Sequence, residues 1–99
     1  MKWVLKMKKK ELLIEDVYST RDLFESSAIA LFQKPIKLEL AGDYFLFVFE
    51  KEPAEKIANQ YWTGELEGNI RAYANSIKAM KDWLFSKKRE IEKRNGRDY

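Results

Sequence analysis

Tyr44 to Phe49 is a run of six apolar or aromatic residues with no polar break, and it does more than any other stretch to limit what the chain can become. A strand with both faces covered reads this way, with Phe45, Phe47 and Phe49 on one side and Tyr44, Leu46 and Val48 on the other. Just before it, Ile36, Leu38 and Leu40 alternate with Lys37 and Glu39, the period of a half-buried strand. Ala41, Gly42 and Asp43 supply the turn between them, so Gly42 and Asp43 read as turn chemistry. The pair predicts a hairpin with Tyr44 to Phe49 as the central strand. If helices cover one face only, Leu46 and Val48 are left for a dimer partner to bury.

The rest of the chain has to cover that hairpin. Leu12 to Tyr18 reads as a further strand or extended entry segment. Ser19 or Thr20 is the expected N-cap of a helix over Arg21 to Gln33, with Asp22 favouring the helix dipole. Leu23, Phe24, Ala28, Leu31 and Phe32 form its apolar stripe, and Pro35 blocks its continuation. A second helix starts around Pro53, carries Ala54, Ile57, Ala58 and Tyr61, and ends at Gly64. After Glu65 to Gly68, Asn69 caps a long last helix with Ile70, Tyr73, Ala74, Ile77, Met80 and Leu84 at helical spacing. Its stripe fades beyond Phe85, where the last turns are expected to project into solvent or fray, and Asn95 and Gly96 end it. The fold class expected is α+β: a small antiparallel sheet of about three strands covered by three helices, the last one long.

Ninety-nine residues fit one domain. The organisation expected is a basic segment over 1–10, a body over 11–85 and a basic tail over 86–99. Residues 1–10 carry five Lys and no acid, a charge of +5; residues 11–85 carry eight basic and thirteen acidic side chains, −5; residues 86–99 carry six and three, +3. An acidic body is flanked by basic ends.

Composition removes much familiar chemistry. The chain has no cysteine and no histidine, which excludes disulfides, thiol nucleophiles, thiolate or imidazole metal sites and imidazole-based triads. No Gly-rich phosphate loop or metal-loop pattern occurs, and the four glycines stand singly. Glu50, Glu52, Glu55, Glu65 and Glu67 suit hard-metal or acid–base work by type, but their places read as helix-start and loop charges. No catalytic residue, metal, cofactor or small-molecule ligand is expected, and the chain is not expected to be an enzyme. The basic start lacks the apolar core of an export signal, and no run approaches a membrane span, so the expected location is cytoplasmic, without membrane association. Abundant Lys and Glu without Cys also suits a thermophile.

Thr20, Arg21, Asp22 and Leu23 at a helix start, Phe45 to Glu50, Tyr61, Trp62, Thr63 and Gly64, and Lys78 to Leu84 follow one another in an order that resembles a family of short, uncharacterised prokaryotic and phage domains. That family shows a T-x-D-L start, an F-V-F-E-like strand, a Y-x-x-G or Y-W-x-G ending and an L-K-like motif in its last helix. The match spans about residues 17 to 85, with Ala79, Met80 and Lys81 departing from the Leu before the Lys. The resemblance implies the element order and a prokaryotic or mobile-element setting, and it implies no activity.

The leading functional expectation is a non-enzymatic binding module, an accessory binder of DNA or RNA that contacts phosphates through its basic ends. The residues assigned to that surface are Lys8, Lys9 and Lys10 at the start, Lys78, Lys81 and Trp83 in the last helix, and Lys87, Lys88, Arg89, Lys93 and Arg94 beyond it. Cations interleaved with an aromatic suit single-stranded nucleic acid, and a solvated helix face gives the same list. Trp83 discriminates between the two readings, because burial removes it as a stacking platform. The alternative is a protein-interaction module or homodimer, using the strand Tyr44 to Phe49 or the surroundings of Trp62 and Trp83. Tyr61 is expected to pack on the sheet, and an exposed Trp62 to be informative.

Overall fold

The computed structural model describes residues 16–94, with the backbone alone at Arg94. The element order is β1 (Val17–Thr20), α1 (Leu23–Ala30), β2 (Lys37–Ala41), β3 (Tyr44–Glu50), α2 (Lys51–Thr63) and α3 (Ile70–Arg94). The three strands form one antiparallel sheet in the order β1-β3-β2, so the uninterrupted apolar strand is central. The expected α+β class, with three strands, three helices and a long last helix, is what forms.

Register assigns the faces. Leu38 pairs with Phe47, Leu40 with Phe45, Tyr18 with Phe49 and Thr20 with Phe47, so these residues share the helix-covered side. The buried core joins Ile29, Leu38, Phe47 and Phe49 to Ala54 and Ala58 of α2 and Met80 of α3. On the opposite face Val48 is 2% exposed and Leu46 is half-buried. Tyr44 lies under the Arg21 guanidinium, 4.1 Å from the ring centroid. Val48 is therefore already buried within one chain, and Leu46 is half-buried there.

The first strand runs later than its pattern suggests, through Ser19 and Thr20; residues 12–15 lie outside the described residues. Ladder pairing of Ser19 with Val48 and of Thr20 with Phe47 takes both residues away from capping. Asp22 caps α1 instead: its Oδ1 accepts from Glu25 N at 2.8 Å. Thr20 Oγ1 accepts from Asp22 N at 3.1 Å and donates to Glu25 Oε1 at 2.8 Å, and the Tyr18 hydroxyl donates to Glu25 Oε2. Glu25 is buried, and these two hydroxyls fasten β1 to the start of α1. The Thr-x-Asp-Leu segment is thus a strand exit and a helix cap. Burial, and then the bond to Glu25, push the Tyr18 phenol well above its ordinary range.

The helix α1 is also shorter than the Arg21 to Gln33 expected. It closes in a tight turn at Leu31 and Phe32, whose amides donate to Ala28 and Ile29 carbonyls three residues back. The helix α2 ends at Gly64, which takes φ 83° and donates to the Gln60 and Tyr61 carbonyls. Asn69 caps α3, accepting from Ala72 N at 2.8 Å. At roughly 1.5 Å per residue the 25 residues of α3 span about 37 Å. Its first half packs on α1, where Ser76 Oγ donates to the Ser27 carbonyl at 2.8 Å. No described helix is long and apolar enough to cross a membrane.

Candidate functional site

The site begins with α1, because this helix presents the wrong residues to solvent for a simple amphipathic element. Its buried positions are Glu25, Ser26, Ser27, Ala28 and Ile29, while Phe24 and Phe32 are more than half exposed. Ser26 and Ser27 tolerate burial because both hydroxyls donate to the Leu23 carbonyl, at 2.9 and 2.7 Å. With small satisfied side chains inside, Phe24 and, just past the end of α1, Phe32 are left on its outer flank. Of the apolar stripe read from spacing, Ala28 is buried and Leu23 packs against the core, whereas Phe24 and Phe32 face outward.

Past Gly64 the chain crosses beside this flank. Gly68 lies close to it: a Cβ there would stand 3.7 Å from Leu31 and 3.8 Å from Phe32. The result is a groove of about 310 Å³ between the end of α1, the end of α2, residues 65–69 and the first turn of α3. Leu31, Phe32, Tyr61, Leu66, Ile70 and Tyr73 supply most of its wall, joined by Ala28, Gly68, Glu67 and Asn69. A concavity of this size with aromatic walls and few polar groups is the usual form of a binding site.

Its electrostatics are one-sided. Glu67 is the one charged residue on the wall, Glu65 is exposed in the same connection, and no Lys or Arg lines the groove. The Tyr73 hydroxyl donates to the Phe24 carbonyl at 3.1 Å. Burial first, and then the neighbouring Tyr61 hydroxyl and the charge of Asp22, push the Tyr73 phenol up to about 12. Tyr73 is thus a neutral donor at physiological pH. Tyr61 is half-buried on the wall, and Trp62 meets it edge to face at 5.0 Å while remaining 62% exposed.

The residues assigned to a nucleic-acid surface fall into three groups. Lys8, Lys9 and Lys10 lie outside the described residues. Lys78, Lys81, Lys88, Arg89 and Lys93 are exposed along α3, Lys87 is half-buried and pairs with Glu90 at 3.7 Å, and Arg94 ends the helix. Trp83 is half-buried against the core, with its ring centroid 6.1 Å from that of Phe47, which leaves only part of its ring to solvent. Phe85 is the more exposed aromatic of this segment, at 44%, and the Lys88 ammonium lies 5.9 Å from its ring. Helical spacing contained the signal, because 78, 81, 85 and 88 follow one another by three and four.

Spacing gave no such warning for Ile70. It sits at the expected apolar position, yet it is 85% exposed at the mouth of the groove. Among the described residues no three acidic side chains converge as a metal site would require. No protein-family model matches the chain, and neither does any curated protein or solved structure, so its function rests on the site's own geometry.

Proposed function

We propose that this chain is a non-enzymatic protein-interaction module whose groove seats an apolar side chain of a protein partner. One observation carries the reading: the apolar surface does not stop at the groove. Phe32 and Ile70 stand exposed on its wall, Trp62 is exposed against Tyr61, and exposed Phe24 takes the Tyr73 hydroxyl on its carbonyl. Scattered exposed apolar residues are ordinary, whereas a contiguous group around a concavity marks a contact surface. Aromatic side chains there also lose little conformational freedom on contact. The test is selection of a displayed peptide library on the immobilised chain, followed by titration read through Trp62 fluorescence. Peptides with a bulky apolar anchor are expected, with affinity falling at least about tenfold in Ile70→Lys. Binding that ignores Ile70→Lys, or no selected peptide at all, defeats the reading.

A second reading has its own support. Lys78, Lys81, Lys88, Arg89 and Lys93 lie exposed along one helix with Phe85 among them, a composition suited to DNA or RNA. Asp82 and Glu92 are exposed on the same helix and lower its potential. This reading requires binding of labelled single strands that falls steeply with salt and is lost when Lys81 and Lys88 become Ala.

A further inference from the structure

The groove and the exposed end of α3 have opposite character, and among the described residues neither is covered. At one end of α3 lies an apolar concavity whose wall carries Glu67, with Glu65 beside it and, among the described residues, no cation on the wall. Toward the other end Phe85 projects, 44% exposed, with Lys81, Lys88 and Arg89 exposed around it and Asp82 exposed beside them. An apolar knob flanked by cations is the chemical complement of an apolar groove flanked by carboxylates. The knob cannot reach its own groove. Ile70 and Phe85 belong to one continuous helix, and 15 residues at 1.5 Å hold them about 22 Å apart.

We infer that the occupant of the groove is Phe85 of a second copy of this chain, delivered by antiparallel pairing of two α3 helices. The inference rests on the reading of the groove as a docking site. In such a pair, residue 85 of each copy lies beside residue 70 of the other, so both grooves fill at once. Assembly then closes at two chains, the commonest symmetry of homo-oligomers. In that register Lys88 and Arg89 of each copy come opposite residues 67 and 66 of the other, beside Glu67 and Glu65, which aligns the acidic body with the basic end noted in the charge distribution. The opposite sheet face does not compete for this role, since Val48 is buried and Leu46 half-buried.

Sedimentation velocity of the full chain over about two decades of concentration tests the inference, alongside Phe85→Glu, Ile70→Lys and an equimolar mixture of the two variants. Circular dichroism of each variant confirms the fold, which both exposed positions should leave intact. The expected result is a dimer of twice the 11.8 kDa chain. Its dissociation constant should rise at least about tenfold in either variant, and the mixture should recover part of the loss because an intact groove meets an intact knob. Raising the salt concentration should weaken the dimer a further few-fold. A monomer at every concentration, a dimer indifferent to Phe85→Glu, or growth beyond two chains overturns the proposal. Peptide selection on Phe85→Glu separates the two levels. Where the wild-type chain is a monomer at every concentration, peptides that bind the groove of Phe85→Glu overturn self-association alone, whereas a groove that selects none overturns the docking site as well.

Discussion

The core under the sheet and the groove beside it are built from the same three helices and the same residue types, yet one is closed and the other open. In the core, Phe47, Phe49, Ile29 and Met80 meet around Ala54 and Ala58, whose small side chains let α2 approach the sheet. In the groove, Phe32, Tyr61 and Tyr73 meet Leu66 and Ile70 with no element among the described residues laid across them. The difference starts in α1, which turns Ser26, Ser27 and Ile29 inward and leaves Phe24, and Phe32 just past its end, outward. Burying Phe24 or Phe32 in place of a serine would have added apolar burial to folding. The chain leaves that apolar surface where a partner can use it, so the two concavities divide stability from contact.

The strongest way to break this comparison is to remove one large side chain from each region. Phe47 is 1% exposed and touches Trp83, so Phe47→Ala is expected to cost about 3–5 kcal/mol. Ile70→Lys, at a position almost wholly in solvent, is expected to change stability by no more than about 0.5 kcal/mol. Urea denaturation of the two variants measures both. Comparable losses would mean that Ile70 belongs to the core, and the division would collapse.

A smaller effect is expected at the polar fastening that sets the rotation of α1. Glu25 is buried and takes the Tyr18 and Thr20 hydroxyls, one from each end of a short strand segment. Glu25→Ala leaves two hydroxyls without this acceptor, an expected cost of about 2–3 kcal/mol. Thr20→Val removes one of the two bonds, together with the acceptor for Asp22 N, and should cost about half as much. If Glu25→Ala is neutral in denaturation, packing alone orients α1 and the outward Phe residues need another explanation.

These particulars show which parts of the molecule local sequence specifies. The hairpin was legible because Gly42 and Asp43 divide an alternating strand from a continuous one, and Asn69 and Gly64 punctuate α3 and α2 as their chemistry requires. The face of α1 was legible only in part. Leu23 and Ala28 pack inward as spacing indicates, but spacing also counts Phe24 and Phe32 as core and passes over two serines whose hydroxyls are satisfied within their own helix. Trp83 was hard to place for a related reason: it lies off the Ile77, Met80, Leu84 stripe, and contact with Phe47, 36 residues earlier, draws it partly inward. The groove was least legible, because its walls come from residues 28, 31, 32, 61, 66–70 and 73 and no local pattern registers their meeting. Along α3, Lys78, Lys81, Lys88, Arg89 and Lys93 are exposed, and Phe85 rather than Trp83 is the more exposed aromatic among them.

The gentlest probe of the groove is alkaline pH, because Tyr73 couples its wall to α1. Its phenol is held neutral up to about 12, first by burial and then by the neighbouring Tyr61 hydroxyl, while an unfolded tyrosine ionises near 10. Between these values the unfolded chain has lost a proton that the folded chain keeps. The contribution is therefore complete below about pH 10 and declines as pH rises through about 12. Tyr18, raised in the same direction and further, adds to the decline and extends it to higher pH. Tyr73→Phe should flatten part of the loss between pH 10 and 12 and remove one late-titrating phenolate from the ultraviolet absorbance titration. It also deletes the donor to the Phe24 carbonyl, and so is expected to cost about 0.5–1.5 kcal/mol at neutral pH. If the variant keeps the full alkaline decline, the groove wall opens to water more readily than its geometry implies, and the boundary between closed core and open groove shifts inward to Ser76 and Met80.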